Sequence, residues 1–232
     1  YLFVLPFVLL FAIFIVYPLV RSLILSTYKT VGPRHEIFAG LDNYRDVFAR
    51  PEALQILKNT VIFVVLSITF QLSIGFGLAL LFNLRFPLNK LARSLVIVPW
   101  LLPFLVTGFI FRFLFQLEAG AVNQVLLDLH LINQPIGYLL SPGWAYVTVL
   151  ITNIWLGVPF FTVLLFSALQ DVPPELKEAA MIDGAGPWQT LVRVTLPVMR
   201  RIVVVGIAVG CIGCATGYHP LSFSGGYTDR QI

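Results

Sequence analysis

Residues 144–197 read WAYVTVLITNIWLGVPFFTVLLFSALQDVPPELKEAAMIDGAGPWQTLVRVTLP. The stretch Trp144–Leu169 carries no Asp, Glu, Lys or Arg. A lipid core about 30 Å thick needs roughly 20 mostly apolar residues per helix, so this run is long enough to cross one. It lacks the period-2 alternation of a barrel strand, which favours a helix. The residues after it change character at once, to a polar segment punctuated by proline and glycine.

Working outward, four further apolar runs appear at about Tyr1–Val20, Thr60–Phe82, Ser94–Phe115 and Ile202–Gly217. Of the 232 residues, 58% are hydrophobic and 11% charged, against roughly 45–50% and 25% in an average soluble domain. The expected class is an all-α polytopic membrane helical bundle with five transmembrane helices, in contact with membrane lipid. No linker is long enough to set apart a second domain.

The net charge of +4 does not point to nucleic acid, because Lys and Arg cluster in the links between runs, where they serve as topology signals. The link between the second and third runs carries Arg85, Lys90 and Arg93 and no acid. The next link carries Glu118 and Asp128 and no Lys or Arg. This asymmetry places the former link in the cytoplasm, and alternation then places 170–201 there too and 21–59 outside. The six basic residues of that outer link make the charge rule alone a weak guide. Arg112, near the outer end of the third run, reads as a snorkelling side chain. The first run opens without Met or a basic flank and continues into Tyr17-Pro18 rather than a small-residue cleavage site, so a cleaved signal is disfavoured and an upstream targeting region is expected to be missing.

The segment 171–197 has its own punctuation. Pro173 and Pro174 suit a first helical turn, where missing N–H donors cost little. Glu175–Asp183 is rich in helix formers, Gly184 offers a left-handed stop, and Pro187 opens a second short helix that Pro197 is expected to limit. Ala179 and Ala180 leave the backbone beside Glu178 open to close approach. On pattern alone, a docking surface and a headgroup-level amphipathic connector fit equally.

Resemblance separates the two. Glu178-Ala179-Ala180, Asp183-Gly184-Ala185, Leu191, Val194, Leu196 and Pro197 resemble the EAA motif of ABC importer permeases, with Leu191 where the family commonly has an aromatic. Phe38-Ala39-Gly40-Leu41-Asp42-Asn43-Tyr44, Asn59-Thr60, Leu5-Pro6, Tyr17-Pro18, Ile154-Trp155 and Pro159-Phe160 resemble its carbohydrate-uptake branch, over about residues 1–210. The resemblance implies a permease subunit of a binding-protein-dependent importer in the cytoplasmic (inner) membrane of a prokaryote. It would form half of the path for a sugar or related small polar solute. It also implies that 171–197 holds a coupling helix inserted into an ATPase subunit. Glu178 would be the charged contact, Ala179 and Ala180 the close-packed face, and Asp183, Gly184 and Ala185 the turn. The implied partners are an ATP-binding subunit dimer, a second permease subunit and an extracytoplasmic solute-binding protein. In the implied cycle, ATP closes the ATPase dimer and opens the bundle outward, and hydrolysis resets it.

The family normally has six such helices. Here residues 1–217 form the expected transmembrane permease domain, and 218–232, too polar and short to span, form a non-matching tail expected to be truncated or read in a shifted frame. No GxxxxGK[ST] loop is present, so ATP and Mg are expected on the partner and no cofactor in this chain. No HExxH, GxSxG or clustered His/Asp/Glu set points to catalysis or a metal. Cys211 and Cys214 are spaced as a redox pair yet lie in an apolar run, where they read as small apolar residues. The solute-path candidates are Asn153 with Trp155, then Gln71 and Thr107; each also fits an ordinary interhelical hydrogen bond. Pro99, Pro103 and Pro159 permit kinks. The rival function is a self-sufficient channel or secondary transporter, for which internal inverted repeats or intramembrane acids are expected. All eleven Asp and Glu lie outside the apolar runs.

Overall fold

A computed structural model describes residues 4–30, 36–84 and 86–224. Its segments are α1 (Leu5–Phe11), a π-turn (Ala12–Val16), α2 (Tyr17–Leu25), β1 (Tyr28–Thr30), β2 (Glu36–Phe38), α3 (Asp42–Ala49), α4 (Pro51–Asn83) and α5 (Asn89–Leu101). They continue as α6 (Phe104–Leu114), α7 (Ala121–Asp128), α8 (Pro142–Gln170), α9 (Pro174–Ile182), α10 (Pro187–Thr190), a second π-turn (Leu191–Thr195) and α11 (Leu196–Ser224). Among the described residues, Leu5–Leu25, Glu52–Asn83, Pro142–Gln170 and Pro187–Ala215 are each long and apolar enough to cross a bilayer. The pair α5–α6, bent by 99°, makes a fifth when counted as one broken span. The chain divides into two compact units, Tyr1–Asn59 and Thr60–Ile232.

In the first unit, α1 and α2 run on through the π-turn. Pro18 lacks an N–H, and in a regular helix its ring would meet the carbonyl of Phe14. The chain widens just before it, where the Tyr17 N–H donates to the Ala12 oxygen, five residues back. The antiparallel pair β1–β2 places Tyr28 opposite Phe38, with the two rings edge to face at 5.5 Å. Against it sits α3, whose Asn43 amide donates to the carbonyls of Ser26 and Tyr28, both at 2.8 Å.

Lys29 Nζ lies 2.6 Å from Asp46 Oδ2. The hydrogen bond from Lys29 holds the Asp46 carboxyl below its ordinary value of 3.8. A depressed carboxyl pKa contributes stability that is present above the unfolded value and lost as pH falls through the folded one. The hairpin–α3 contact is therefore expected to be insensitive to pH from neutrality to about 4 and to loosen only below that, which hydrogen exchange at Ile37 and Asp46 checks.

In the second unit, the core lies where α4, α8 and α11 meet. Ile68 and Ala79, Phe161, Leu165, Ala168 and Leu169, and Met199 and Cys214 are all buried there together with Val172. Lipid tails are as apolar as leucine, so such helices gain from close packing rather than from hiding grease. A Cβ at Gly75 of α4 would stand 2.7 Å from the Phe161 Cβ and 3.0 Å from the Thr162 nitrogen. The two backbones approach here as only glycine allows.

The third apolar run is not one helix over Ser94–Phe115, as its hydropathy suggests. Pro103 drives Leu102 out of the α region, to φ −82° and ψ 133°, and the span breaks. The second run starts earlier than Thr60, at Pro51, because Pro51 and Glu52 suit a first helical turn. Pro197 does not limit a short second helix. The Leu196 N–H donates to the Leu191 oxygen, the same five-residue step as before Pro18, and the helix passes through. Helical backbone continues to Ser224, past the end of the fifth apolar run. Within the tail read from 218 onward, residues 225–232 lie outside the described residues.

Asn123, 1% exposed, organises the link between α6 and α8. Its amide nitrogen donates to the carbonyls of Gln116 (3.3 Å), Leu117 (3.1 Å) and Ile136 (3.0 Å), and its oxygen accepts from the Ile136 N–H at 3.0 Å. Asn123→Ala leaves four backbone groups without this partner and is expected to cost roughly 2–3 kcal/mol locally. Faster hydrogen exchange confined to residues 116–140 is the readout.

Candidate functional site

The loop after α8 folds as its punctuation predicts. Pro173 precedes the helix and Pro174 opens it. At its far end the Gly184 N–H donates to Met181 O (3.1 Å) and the Ala185 N–H to Ala180 O (2.9 Å), with Gly184 at φ +83°. Those two bonds and a left-handed residue make a Schellman stop. After it, the Gly186 N–H donates to Gln189 Oε1 at 3.1 Å, which starts α10.

Of the six predicted loop residues, Glu178, Ala179, Asp183 and Gly184 are exposed and Ala180 and Ala185 half-buried. Beside them stand apolar side chains that sequence reading did not single out: Ile182 is 86% exposed, Trp188 74% and Met181 59%. Met181 and Ile182 precede the span that opens at Pro187, and Trp188 lies at its start, so the loop carries bare apolar groups of the kind contact surfaces show. Their signal was in the sequence, as apolar residues within an otherwise polar segment.

The loop shares one end of the second unit with the basic link. Arg93 lies 4.1 Å over the ring of Phe166, at the end of α8 that leads into the loop, and donates to the Phe82 carbonyl at the end of α4. The structure thus brings Arg93 and the 171–186 segment to the same end, as alternation of the spans requires.

Of the solute-path candidates, Gln71 and Asn153 come together. The Gln71 amide donates to Asn153 O (3.0 Å) and Oδ1 (2.9 Å), and the Cys214 thiol donates to Asn153 Oδ1 at 3.4 Å. All three are at least 95% buried, in a polar cluster that joins α4, α8 and α11. Gly157 makes room for it, since a Cβ there would stand 2.2 Å from the Gln71 amide carbon. Cys214 therefore belongs to the polar cluster as well as to the apolar core, which its spacing from Cys211 did not disclose. Among the described residues, no cluster of three or more His, Cys, Asp or Glu is placed to hold a metal.

Trp155 is not on this face. Two residues along a helix turn about 200°, so positions i and i+2 do not face each other. Its ring lies 5.4 Å from Phe111 and lines an apolar hollow of about 530 Å³ with Ile74, Leu95 and Pro99. Thr107 is also apart: fully buried, its hydroxyl donates at 3.3 Å to the Pro103 carbonyl that its own N–H also reaches, at 3.0 Å.

A bundle of apolar spans with a polar cluster among them and an apolar-tipped helical loop at one end is the architecture of a multi-pass membrane protein. The chain belongs to the family of binding-protein-dependent transport system inner membrane components, whose model matches residues 71–231. It is 35% identical over 205 residues to the sulfoquinovosyl glycerol transport system permease protein of Agrobacterium fabrum, covering 87% of this chain and 66% of that protein. It is 32% identical over 216 residues to the lactose transport system permease protein of Rhizobium radiobacter, covering 92% and 71%. The chain thus spans about two thirds to seven tenths of these relatives' length. Its fold matches a bacterial ABC transporter involved in import of the acidic polysaccharide alginate, with a TM-score of 0.77 and 24% identity over 93% of this chain and 73% of that one.

Proposed function

We propose that this chain forms half of the translocation path of an ATP-driven importer for a sugar or related small polar solute, with the 171–197 loop as its contact to a separate ATPase dimer. The observation that carries the reading is the loop: a Schellman-stopped helix with Glu178 and Ala179 exposed and with Met181, Ile182 and Trp188 bare beside them. The solutes for which these relatives are named, sulfoquinovosyl glycerol and lactose, support the substrate class.

In this scheme the solute is delivered by an extracytoplasmic binding protein, and a second permease subunit completes the path. ATP and Mg are handled by the ATPase partner. The Gln71–Asn153–Cys214 cluster is the polar locus at which solute hydroxyls exchange hydrogen bonds with side-chain amides as the helices separate. Two packings of similar energy, biased by nucleotide through the loop and by solute through the cluster, give alternating access. Affinity purification from solubilised membranes, followed by solute uptake into vesicles that hold the retained partners, tests the reading. Retention of an ATPase and ATP-dependent uptake of a sugar are expected; ATP-independent uptake by this chain alone contradicts it.

A further inference from the structure

We propose that Arg93 is a positioning residue that transmits movement of the 171–197 loop to the bent pair α5–α6, in addition to serving as a topology charge. This rests on the coupling reading of that loop. Lys90 is exposed and does what a topology signal requires, which is charge alone. Arg93 instead is half-buried, and its guanidinium is engaged through two nitrogens and one face. Its Nη2 donates to the Phe82 carbonyl at 2.5 Å and its Nε to Asn89 Oδ1 at 2.6 Å. The carbon of the same group lies 4.1 Å from the centre of the Phe166 ring.

Those three partners sit on three elements. Phe82 O is one of the free carbonyls at the negative end of α4, where a cation is favoured. Asn89 is the first residue of α5, and its own amide donates to Phe82 O (3.1 Å) and Leu84 O (2.6 Å). Phe166 stands in the last turns of α8, five residues before Asp171, where the loop begins. Between them, Leu88 is held at φ 67°, a strained conformation for leucine that persists where surroundings over-determine it. The guanidinium therefore fixes the root of α5 to both α4 and the stem of the loop. Beyond α5 lies the break at Leu102. A displacement of the α8 end reaches the root of α5 through this side chain, while Trp100 meets Phe160 nearer the break, and α5 carries it to the hinge before α6.

The test uses the whole complex in vesicles and reads transported solute per ATP hydrolysed. Arg93→Lys keeps the charge and topology but cannot make the two-armed bond while covering the ring. Phe166→Leu keeps the apolar volume and removes the ring face. Each is expected to leave the membrane level of the chain and ATP hydrolysis within about twofold of wild type while uptake per ATP falls about tenfold. The double variant is expected to be no worse than Arg93→Lys alone, because both remove one shared contact. Uptake that falls only in step with the amount of assembled complex, or additive losses in the double variant, overturns the proposal. A wild-type chain that retains no ATPase overturns the coupling reading as well, so the two failures are separable.

Discussion

Gly184→Pro is expected to abolish ATP-driven uptake, by tenfold or more, while the chain stays in the membrane at its normal level. Proline fixes φ near −65° and has no N–H, whereas Gly184 sits at φ +83° and donates to Met181 O. The substitution removes both features of the stop at once, at a cost of about 3 kcal/mol to that local turn. The tip bearing Ile182 and Asp183 is then redirected while the spans are untouched. Glu178→Ala is the companion variant. Among the described residues Glu178 takes part in no ion pair, and a surface change of this kind moves stability by no more than about 0.5 kcal/mol. A loss of uptake in Glu178→Ala therefore reports a contact made outside this chain. Undiminished uptake in both variants removes the loop from the mechanism.

The second large effect concerns the bundle itself. Gly75→Val places a branched side chain where even a Cβ would stand 2.7 Å from Phe161 Cβ and 3.0 Å from Thr162 N. The Thr162 nitrogen is backbone, and Phe161 is fully buried, so neither yields cheaply. Overpacking of this kind costs about 1–3 kcal/mol, which for a chain of this size is about 2–12 °C in apparent melting temperature. Gly77→Val is the internal control, since nothing lies within 4 Å of a Cβ there. Fluorescence-monitored unfolding in detergent is expected to separate the two variants clearly. Equal shifts contradict the close approach of α4 and α8.

Much of this architecture was legible because a bilayer imposes a simple length rule. The run Trp144–Leu169 became α8, Pro142–Gln170, and the Pro173, Pro174 and Gly184 punctuation became the bounds of α9. What the prolines do inside spans was not legible. Pro159 sits within a continuous α8, and Pro18 and Pro197 are absorbed by five-residue steps, yet Pro103 breaks its span by 99°. Each is the same ring; the outcome depends on whether the neighbouring backbone finds other partners, and that is tertiary.

The candidate polar residues divide for a related reason. Asn153 and Gln71 were identifiable as costly polar groups among apolar ones, but their meeting depends on Gly157 admitting the Gln71 amide, which no spacing reveals. Asn153 and Trp155 looked like one site because they are close in sequence, and helical rotation separates them. Asn123 was passed over because it lies in a short polar link with no motif around it, and its partners are carbonyls brought there by the fold.

The central claim is that the 171–197 loop projects on the cytoplasmic side and touches another subunit. A single cysteine at Ala179, probed with a membrane-impermeant maleimide in right-side-out and inside-out vesicles, measures the first part, and cross-linking from the same position measures the second. The account predicts labelling in inside-out vesicles alone, with a cross-link to a co-purifying ATPase that protects the site from labelling. Labelling from the outer face, or full reactivity with no cross-linked partner, contradicts it.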